Sequence, residues 1–521
     1  MTGLKTTPST SNPKEHQPHS LWTIFEHLFL PGKDSRSIWI ILGVITLIGF
    51  FLRMLDLNQS IAYDEAYTFI HFASGEFKHI LEDYSAPNNH IFHTILVGIA
   101  YRLFGGPPWV LRLPAFLAGI LMIPVMYISA RRFFSAHQSL AAAGLAAITP
   151  LFVNYSVNGR GYTMLVLFAL LLANFAGILV TQKSKPALLA FVLTSALGFY
   201  TIPIFLYPMA GISLWVVVTY LFAKEAWQDK RRKLVTFLGA CLAAGLLTFV
   251  LYSPVIFFGS GLSSLVGNEI VRSLSWSTFL ENLDPRIIKA WNKWMIGISP
   301  IVEYLFLGGF LMSLLFYRKV SNQKLPLQVF LALAVALLLV LQRVSPLPRI
   351  WIYLEAFYLM FAAAGLIWLA EFSLHKTAGP ARSDRILSFA IPLVFLSAWT
   401  SILIARAQNP VYSDLDLLPE AYAADYLADH LQPEDTIVAT GPVDIQTAYY
   451  LSLHGISFDQ FYKRDHPVEI RNALVILRKN SKYKTPESVV DFFKLDQTLD
   501  LSTAELVFEY ASVQIYSVPV R

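Results

Sequence analysis

"IWIILGVITLIGFFLRML", residues 38–55, is followed after a short polar turn by "YDEAYTF", residues 63–69. The first stretch is long and apolar enough to cross a bilayer core, which takes roughly 18 or more apolar residues. The second sets two adjacent carboxylates, Asp64 and Glu65, between Tyr63 and Tyr67, just where that span ends. One membrane span delivering an acidic pair to one membrane face is the pattern from which the rest of the chain is read.

Further apolar runs lie at 111–132, 138–155, 161–181, 186–202, 204–223, 234–258, 300–317, 326–342, 350–371 and 386–404. With the first run they predict about eleven transmembrane helices and a polytopic α-helical membrane protein. Composition agrees: 55% of the 521 residues are hydrophobic and 14% charged, whereas soluble domains carry about 25% charged residues. The single cysteine, Cys241, excludes an intrachain disulfide.

Loop charge orients the spans. With the N-terminus inside, the inner loops are "RRFFSAHQ", "QKSK", "KEAWQDKRRK", "YRKVSNQK" and "HKTAGPARSDR", all basic-rich. The outer segments 56–110, 154–160, 259–299 and 343–349 mix signs, which follows the positive-inside rule. Residues 1–37 are polar, show no cleavable signal pattern, and read as a cytoplasmic tail running toward a surface helix near "LWTIFEHLFL". Residues 38–404 form the membrane domain. An odd span count puts residues 405–521 outside the cytoplasm, and the protein is expected in the plasma (inner) membrane.

The C-terminal segment differs in kind. Residues 410–521 carry 17 acidic and 9 basic side chains, a net of −8, against +13 for the remainder of a chain of net +5. This asymmetry points to a membrane rather than to nucleic acid. "TIVAT" and "ALVILRK" read as strands, "LPEAYAADYLADHL" and "TPESVVDFFKL" as helices, and "AELVFEYASVQIYSV" as a strand pair. A small accessory α/β domain on the outer face is expected.

The chemistry-bearing residues gather in the outer loops. Loop 56–110 contains "EAYTFIHFASGEF" and "HIFHTILVGIAYRLFG", whose mixed amphipathic spacing predicts helices lying in the interface plane. Asp64 and Glu65 suit a helix first turn, and equally a general base at the water–lipid boundary. His90 and His93 in "APNNHIFH" share a helical face; without a third ligand they make no metal site, and they read as polar groups at the lip of a cavity. Arg112 reads as a structural, snorkelling residue at a helix start. Arg160 sits between two glycines in "NYSVNGRGYTM", residues 154–164, and suits a phosphate or a lipid headgroup. In "SPLPRIWIYLEAFY", residues 345–358, Arg349 is held by two prolines and suits phosphate geometry. Glu355 lies deeper in the span, where an ionisable residue is functional or paired with a neighbouring arginine.

Five segments occur in one order: "YDEAYTF", "NNHIFHTILVGIAYRLFGG", "LRLPAFLAG", "NGRGYTMLVL" and "PRIWIYL". In this the chain, over roughly residues 38–370, resembles GT-C-type glycosyltransferases, in the branch of protein O-mannosyltransferases, the lipid A aminoarabinose transferase and RgtA-like enzymes. It departs from them where "NNH" replaces the usual "HPP" and where "PRIWIY" lacks the tyrosine after the arginine. The resemblance implies transfer of a sugar from a polyprenyl-phosphate donor to a hydroxyl of a lipid, glycan or protein at the outer face. It implies an inverting reaction with Asp64 as base, Glu65 orienting it or binding sugar, and Arg349 and Arg160 on the donor phosphate. Tyr63, Tyr67, His90, His93, Tyr162 and Glu355 are then expected at the substrate. Some relatives use a divalent metal, but no ligand set in this sequence demands one. Two other readings stay open: an O-antigen ligase or polymerase, which loop 259–299 with Arg272 and Arg286 would suit, and a lipid or solute transporter.

Overall fold

The computed structural model describes residues 20–30, 32, 34–267, 272–408, 418–464 and 469–521. Most of the predicted cytoplasmic tail, 1–19, lies outside the described residues; its end contains the helix Leu21–Phe29, capped by Ser20 Oγ, which accepts the Thr23 N–H at 3.1 Å.

Every apolar run read as a span is helical. Among the described residues seven helices are long and apolar enough to cross a membrane, from Arg36–Met54 to Pro380–Gln408. The run 138–155 is not one straight helix. It breaks into Ala136–Ile148 and Pro150–Ser156, bent by 58°, because Pro150 supplies no N–H to continue the ladder. Three more predicted spans are shorter apolar helices, Lys185–Thr201, Pro300–Leu315 and Leu327–Gln342.

The centre of the bundle is built from Pro108–Ala130, Tyr162–Thr181, Leu206–Leu221 and Ile352–Ala378, whose Leu, Phe and Ala side chains form one large buried cluster. Helices Pro300–Leu315 and Ile352–Ala378 touch through glycine: a Cβ on Gly365 would stand 1.9 Å from the Gly309 carbonyl oxygen. Such small-residue contacts let membrane helices approach closely. The outer helices are the inverse of soluble ones. Only 17% of the apolar window of Trp227–Phe258 is buried, and Leu238, Leu242, Leu246 and Phe249 point outward, a surface that fits lipid rather than water.

Between the first two long helices, the loop forms Tyr63–Thr68, a π-helical turn at Phe69–Ala73, then Phe77–Glu82 and Ile91–Phe104. The C-terminal segment folds as a four-stranded sheet of order β1-β2-β4-β3, with β1 Asp435–Ala439, β2 Asn472–Arg478, β3 Glu505–Tyr510 and β4 Val513–Pro519. β1 and β2 run parallel, and β4 is antiparallel to both its neighbours. Helices Pro419–His430 and Pro486–Phe493 stand where the sequence placed them. Helix Val443–Leu453 does not follow from the periodicity, because most of its residues are buried on every side. It also fastens this domain to the loop. Gln446 Nε2 donates to the Ile61 carbonyl at 2.9 Å, Tyr450 Oη accepts the Ile61 N–H at 3.1 Å, and Tyr449 Oη donates to the Gly106 carbonyl at 2.7 Å.

Candidate active site

The two carboxylates of "YDEAYTF" have opposite environments. Glu65 is buried, with only 2% of its surface exposed. Its Oε1 accepts from Arg112 Nε at 2.8 Å and from the Gly159 N–H at 2.5 Å. Its Oε2 accepts from Arg112 Nη2 at 2.9 Å and from the Ala62 N–H at 2.8 Å. The last bond reaches back to the start of helix Tyr63–Thr68, the geometry of an acidic N3 residue. Asp64 on the same turn is a third exposed, and its one side-chain partner among the described residues is Arg349, whose Nη1 donates to Oδ2 at 2.6 Å.

Arg112 is therefore not a snorkelling residue. It is fully buried and spends its remaining donors on the carbonyls of Leu57, Gln59 and Ser60, at 3.0, 2.6 and 2.9 Å. Five N–H groups in a rigid fork can hold a carboxylate and three carbonyls together. The pair ties the end of the first span, helix Tyr63–Thr68 and the turn at 158–161 into one unit, and so fixes where Asp64 points.

Arg160 is buried under this turn. Its Nη1 donates to the Asp64 carbonyl at 3.1 Å and to Thr68 Oγ1 at 3.3 Å. Gly161 donates its N–H to His90 Nδ1 at 2.9 Å, which places the proton of the neutral ring on Nε2. The His90 Nε2 contact to Arg160 Nη2, 3.3 Å, is then a meeting of two donors that both face the cavity. Burial, reinforced by Arg160, holds the His90 ring well below the usual histidine range. A Cβ at Gly161 would stand 3.1 Å from His90 Nδ1 and 2.8 Å from Thr201 Cγ2, so glycine is what the approach requires.

Tyr162 stands between the cations, with the Arg160 and Arg349 guanidinium carbons each 5.9 Å from its ring centroid. Tyr155 packs edge-on to it at 5.2 Å, and Lys293 Nζ lies 5.4 Å from the Tyr155 ring. Burial first, and Arg349 second, lower the Lys293 ammonium below the usual lysine range. His90, Arg160, Tyr162 and Arg349, with Tyr84 and Tyr207, line a cavity of about 440 Å³. Val344 and Pro346 line both this cavity and a second one of about 580 Å³, walled by Phe279, Leu283, Leu331, Leu339, Phe357 and Phe361. A cationic chamber thus shares a wall with an apolar one.

The structure does not bring every expected residue to the chamber. His93 is buried beside it with no hydrogen bond on either ring nitrogen among the described residues, and burial with Arg160 lowers it to about 3. Glu355 is buried in its helix and lines neither cavity; its carboxylate has no hydrogen-bond partner among the described residues, and no neighbouring arginine pairs with it. Tyr63 and Tyr67 are half-buried and line neither cavity. Arg286 lines the apolar chamber, not the cationic one. Sequence reasoning missed Lys293, Tyr155 and, in the C-terminal domain, Asp444, whose charge acts on the Tyr63 phenol. The only sequence hint of Lys293 was its place on an amphipathic outer-loop helix, Trp276–Trp294. Among the described residues no three His, Cys, Asp or Glu side chains converge as a metal site.

Residues 89–258 match the profile of the dolichyl-phosphate-mannose-protein mannosyltransferase family. No curated protein sequence matches the chain. Among solved structures it is similar to ArnT from Cupriavidus metallidurans. The apo form matches with a TM-score of 0.54 at 15% identity over 92% of this chain and 97% of that one. The form bound to undecaprenyl phosphate matches with a TM-score of 0.56 at 15% identity, over 93% and 98%. The chain is a polytopic helical membrane protein with a GT-C-type fold and a small C-terminal sheet domain, similar to the branch that its motifs resemble.

Proposed function

We propose that this protein is a membrane glycosyltransferase that moves a sugar from a polyprenyl-phosphate donor to a hydroxyl acceptor at the outer face of the plasma membrane. The observation that carries the reading is Asp64: a carboxylate one third exposed, 2.6 Å from Arg349, beside a chamber lined by Arg160, Arg349 and His90. The apolar chamber sharing its wall suits a lipid tail, and undecaprenyl phosphate bound to the similar ArnT supports that assignment.

The residues then divide the work. Arg349 and Arg160 face the donor phosphate, and His90 Nε2–H adds a neutral donor. The acceptor oxygen attacks the anomeric carbon as its proton passes to Asp64. The bond from the anomeric carbon to the phosphate oxygen breaks, and polyprenyl phosphate leaves with its negative charge against the arginines. Fixed cations at a developing anion lower such a barrier by preorganisation. Arg349 links both halves: its guanidinium holds Asp64 before the donor arrives, and turning toward phosphate leaves the carboxylate free to accept a proton. Glu65 acts through Arg112 and the backbone, as a positioning residue.

The test is transfer of labelled sugar from polyprenyl-phosphate donors by the purified protein in liposomes carrying host-envelope extract. Wild type transfers label, and folded Asp64→Asn loses a factor of about 100 or more, the contribution of a general base. Equal transfer by both proteins removes Asp64 from the mechanism, and no transfer with any donor overturns the reading.

A further inference from the structure

The helix face that begins beside Asp64 carries a row of rings for which the transfer chemistry has no use. Tyr63, Tyr67 and His71 are spaced four apart and share one side of helix Tyr63–Thr68 and its π turn. Their ring centroids are separated by 6.3 Å and then 4.2 Å. His71 then meets Phe458 of the C-terminal domain edge-on at 5.6 Å. All four rings are half-buried, and Tyr63, Tyr67 and Phe458 pack on the cluster shared by the loop and the C-terminal domain.

Charged groups border the row along its length. At the Asp64 end, the charge of Asp444 acts on the Tyr63 phenol, and burial pushes Asp444 itself up to about 6. Asp83 acts on both Tyr67 and His71. At the far end Lys463 acts on His71, and its Nζ stands 4.7 Å from the Phe458 centroid. A ligand that fits must offer flat C–H surfaces to several rings and hydrogen-bonding groups to carboxylates at their edges. A pyranose chain offers both. A lipid tail would cover these charged groups with hydrocarbon and offer them no hydrogen bond. An extended peptide is held chiefly through main-chain hydrogen bonds, and this row presents side chains.

We propose that Tyr63, Tyr67, His71 and Phe458 form an acceptor subsite, and that the acceptor is an oligosaccharide lying along these rings with one hydroxyl at Asp64. The subsite is completed by the C-terminal domain through Phe458 and Asp444, which gives that domain a role in acceptor selection. The acceptor assignment rests on the transferase reading, but sugar binding is measured without turnover.

The experiment is saturation-transfer NMR on the full-length protein in detergent, with maltotriose, cellotriose and N-acetylchitotriose as probes and a Ser/Thr-containing peptide as competitor. At least one trisaccharide is expected to bind. Tyr67→Ala and Phe458→Ala each weaken it by about 3- to 10-fold, the contribution of a ring contact, and Tyr67→Phe holds it within about twofold because the ring remains. Absence of binding by all three sugars, binding unaffected by removing either ring, or displacement by the peptide overturns the proposal. Donor turnover, assayed separately, keeps the two readings apart. Turnover without trisaccharide binding sinks the subsite alone, and ring-dependent binding without turnover of any donor keeps the sugar site but sinks the transferase.

Discussion

Replacing Arg112 with methionine removes the guanidinium and keeps most of the side-chain volume. In the structure both partners of the Arg112–Glu65 pair are closed to solvent, at 0% and 1% side-chain exposure. The variant leaves Glu65 with two backbone donors, at Ala62 and Gly159, and no cation. Removing one partner of a buried ion pair costs about 3–5 kcal/mol. The carbonyls of Leu57, Gln59 and Ser60 lose their donor as well, which adds about 1–3 kcal/mol for any that stay dry. Against a total stability of about 5–15 kcal/mol, Arg112→Met is expected to lose at least about 4 kcal/mol. Arg112→Lys keeps a charge but not the fork, and falls between. The double variant Glu65→Leu/Arg112→Met recovers part of the loss, because no charge is then stranded, giving a coupling of at least about 2 kcal/mol. Unfolding by SDS in mixed micelles, followed by tryptophan fluorescence, measures these proteins together with the Glu65→Leu single variant that completes the cycle. A loss below about 1 kcal/mol for Arg112→Met, the size of an exposed pair, would refute the claim that this ion pair holds Asp64 in place.

Three further outcomes follow from the site. If Arg349 both holds Asp64 and meets the donor phosphate, Arg349→Gln lowers kcat by about 100- to 1,000-fold. Adding Asp64→Asn then costs less than about tenfold more, and multiplicative losses would separate the two residues. His93 stays neutral in the folded chain to about 3, but takes a proton near 6.5 when unfolded. Between those values the unfolded state binds the extra proton, so stability falls as pH falls, by about 1.4 kcal/mol per pH unit, and His90, also lowered, acts in the same direction. Thermal unfolding at pH 7.5 and 5.5 checks this: His93→Leu should shrink the drop by about 1.4 kcal/mol, and an undiminished drop would contradict the burial argument. Glu355→Gln removes a buried carboxylate that has no hydrogen-bond partner among the described residues and should leave stability unchanged or raised; a loss above about 1 kcal/mol would reveal a supporting interaction.

Much of this architecture was legible before any coordinates. Apolar runs mark helices because every backbone polar group in a bilayer must be satisfied within its own segment, so each predicted span is helical. The strand pair in "AELVFEYASVQIYSV" and the strands "TIVAT" and "ALVILRK" follow from local pattern and appear as β1 to β4. Asp64, Arg160 and Arg349 could be singled out as candidates from the cost of charged groups near a membrane. Their grouping could not. Glu65 meets Arg112 47 residues away and Gly159 94 residues away, and Asp64 meets Arg349 at a separation of 285. Nothing local distinguished the buried carboxylate from its exposed neighbour. They sit on successive positions of one short helix, about 100° apart, and only the elements packed around that helix decide which side is closed.

The same reason explains what was missed. Helix Val443–Leu453 is buried nearly all round, so it shows no polar face for a periodicity to reveal. Lys293 and Phe458 acquire their neighbours from helices and strands far away in the chain. By itself the sequence determined which segments are apolar, their helical state and the residue types able to handle a phosphate and a proton, because those depend on local hydrophobicity and side-chain chemistry. The tertiary structure decided which carboxylate is closed off from solvent, which cations share a chamber and which rings line up across two domains, because burial and pairing depend on what packs against a residue.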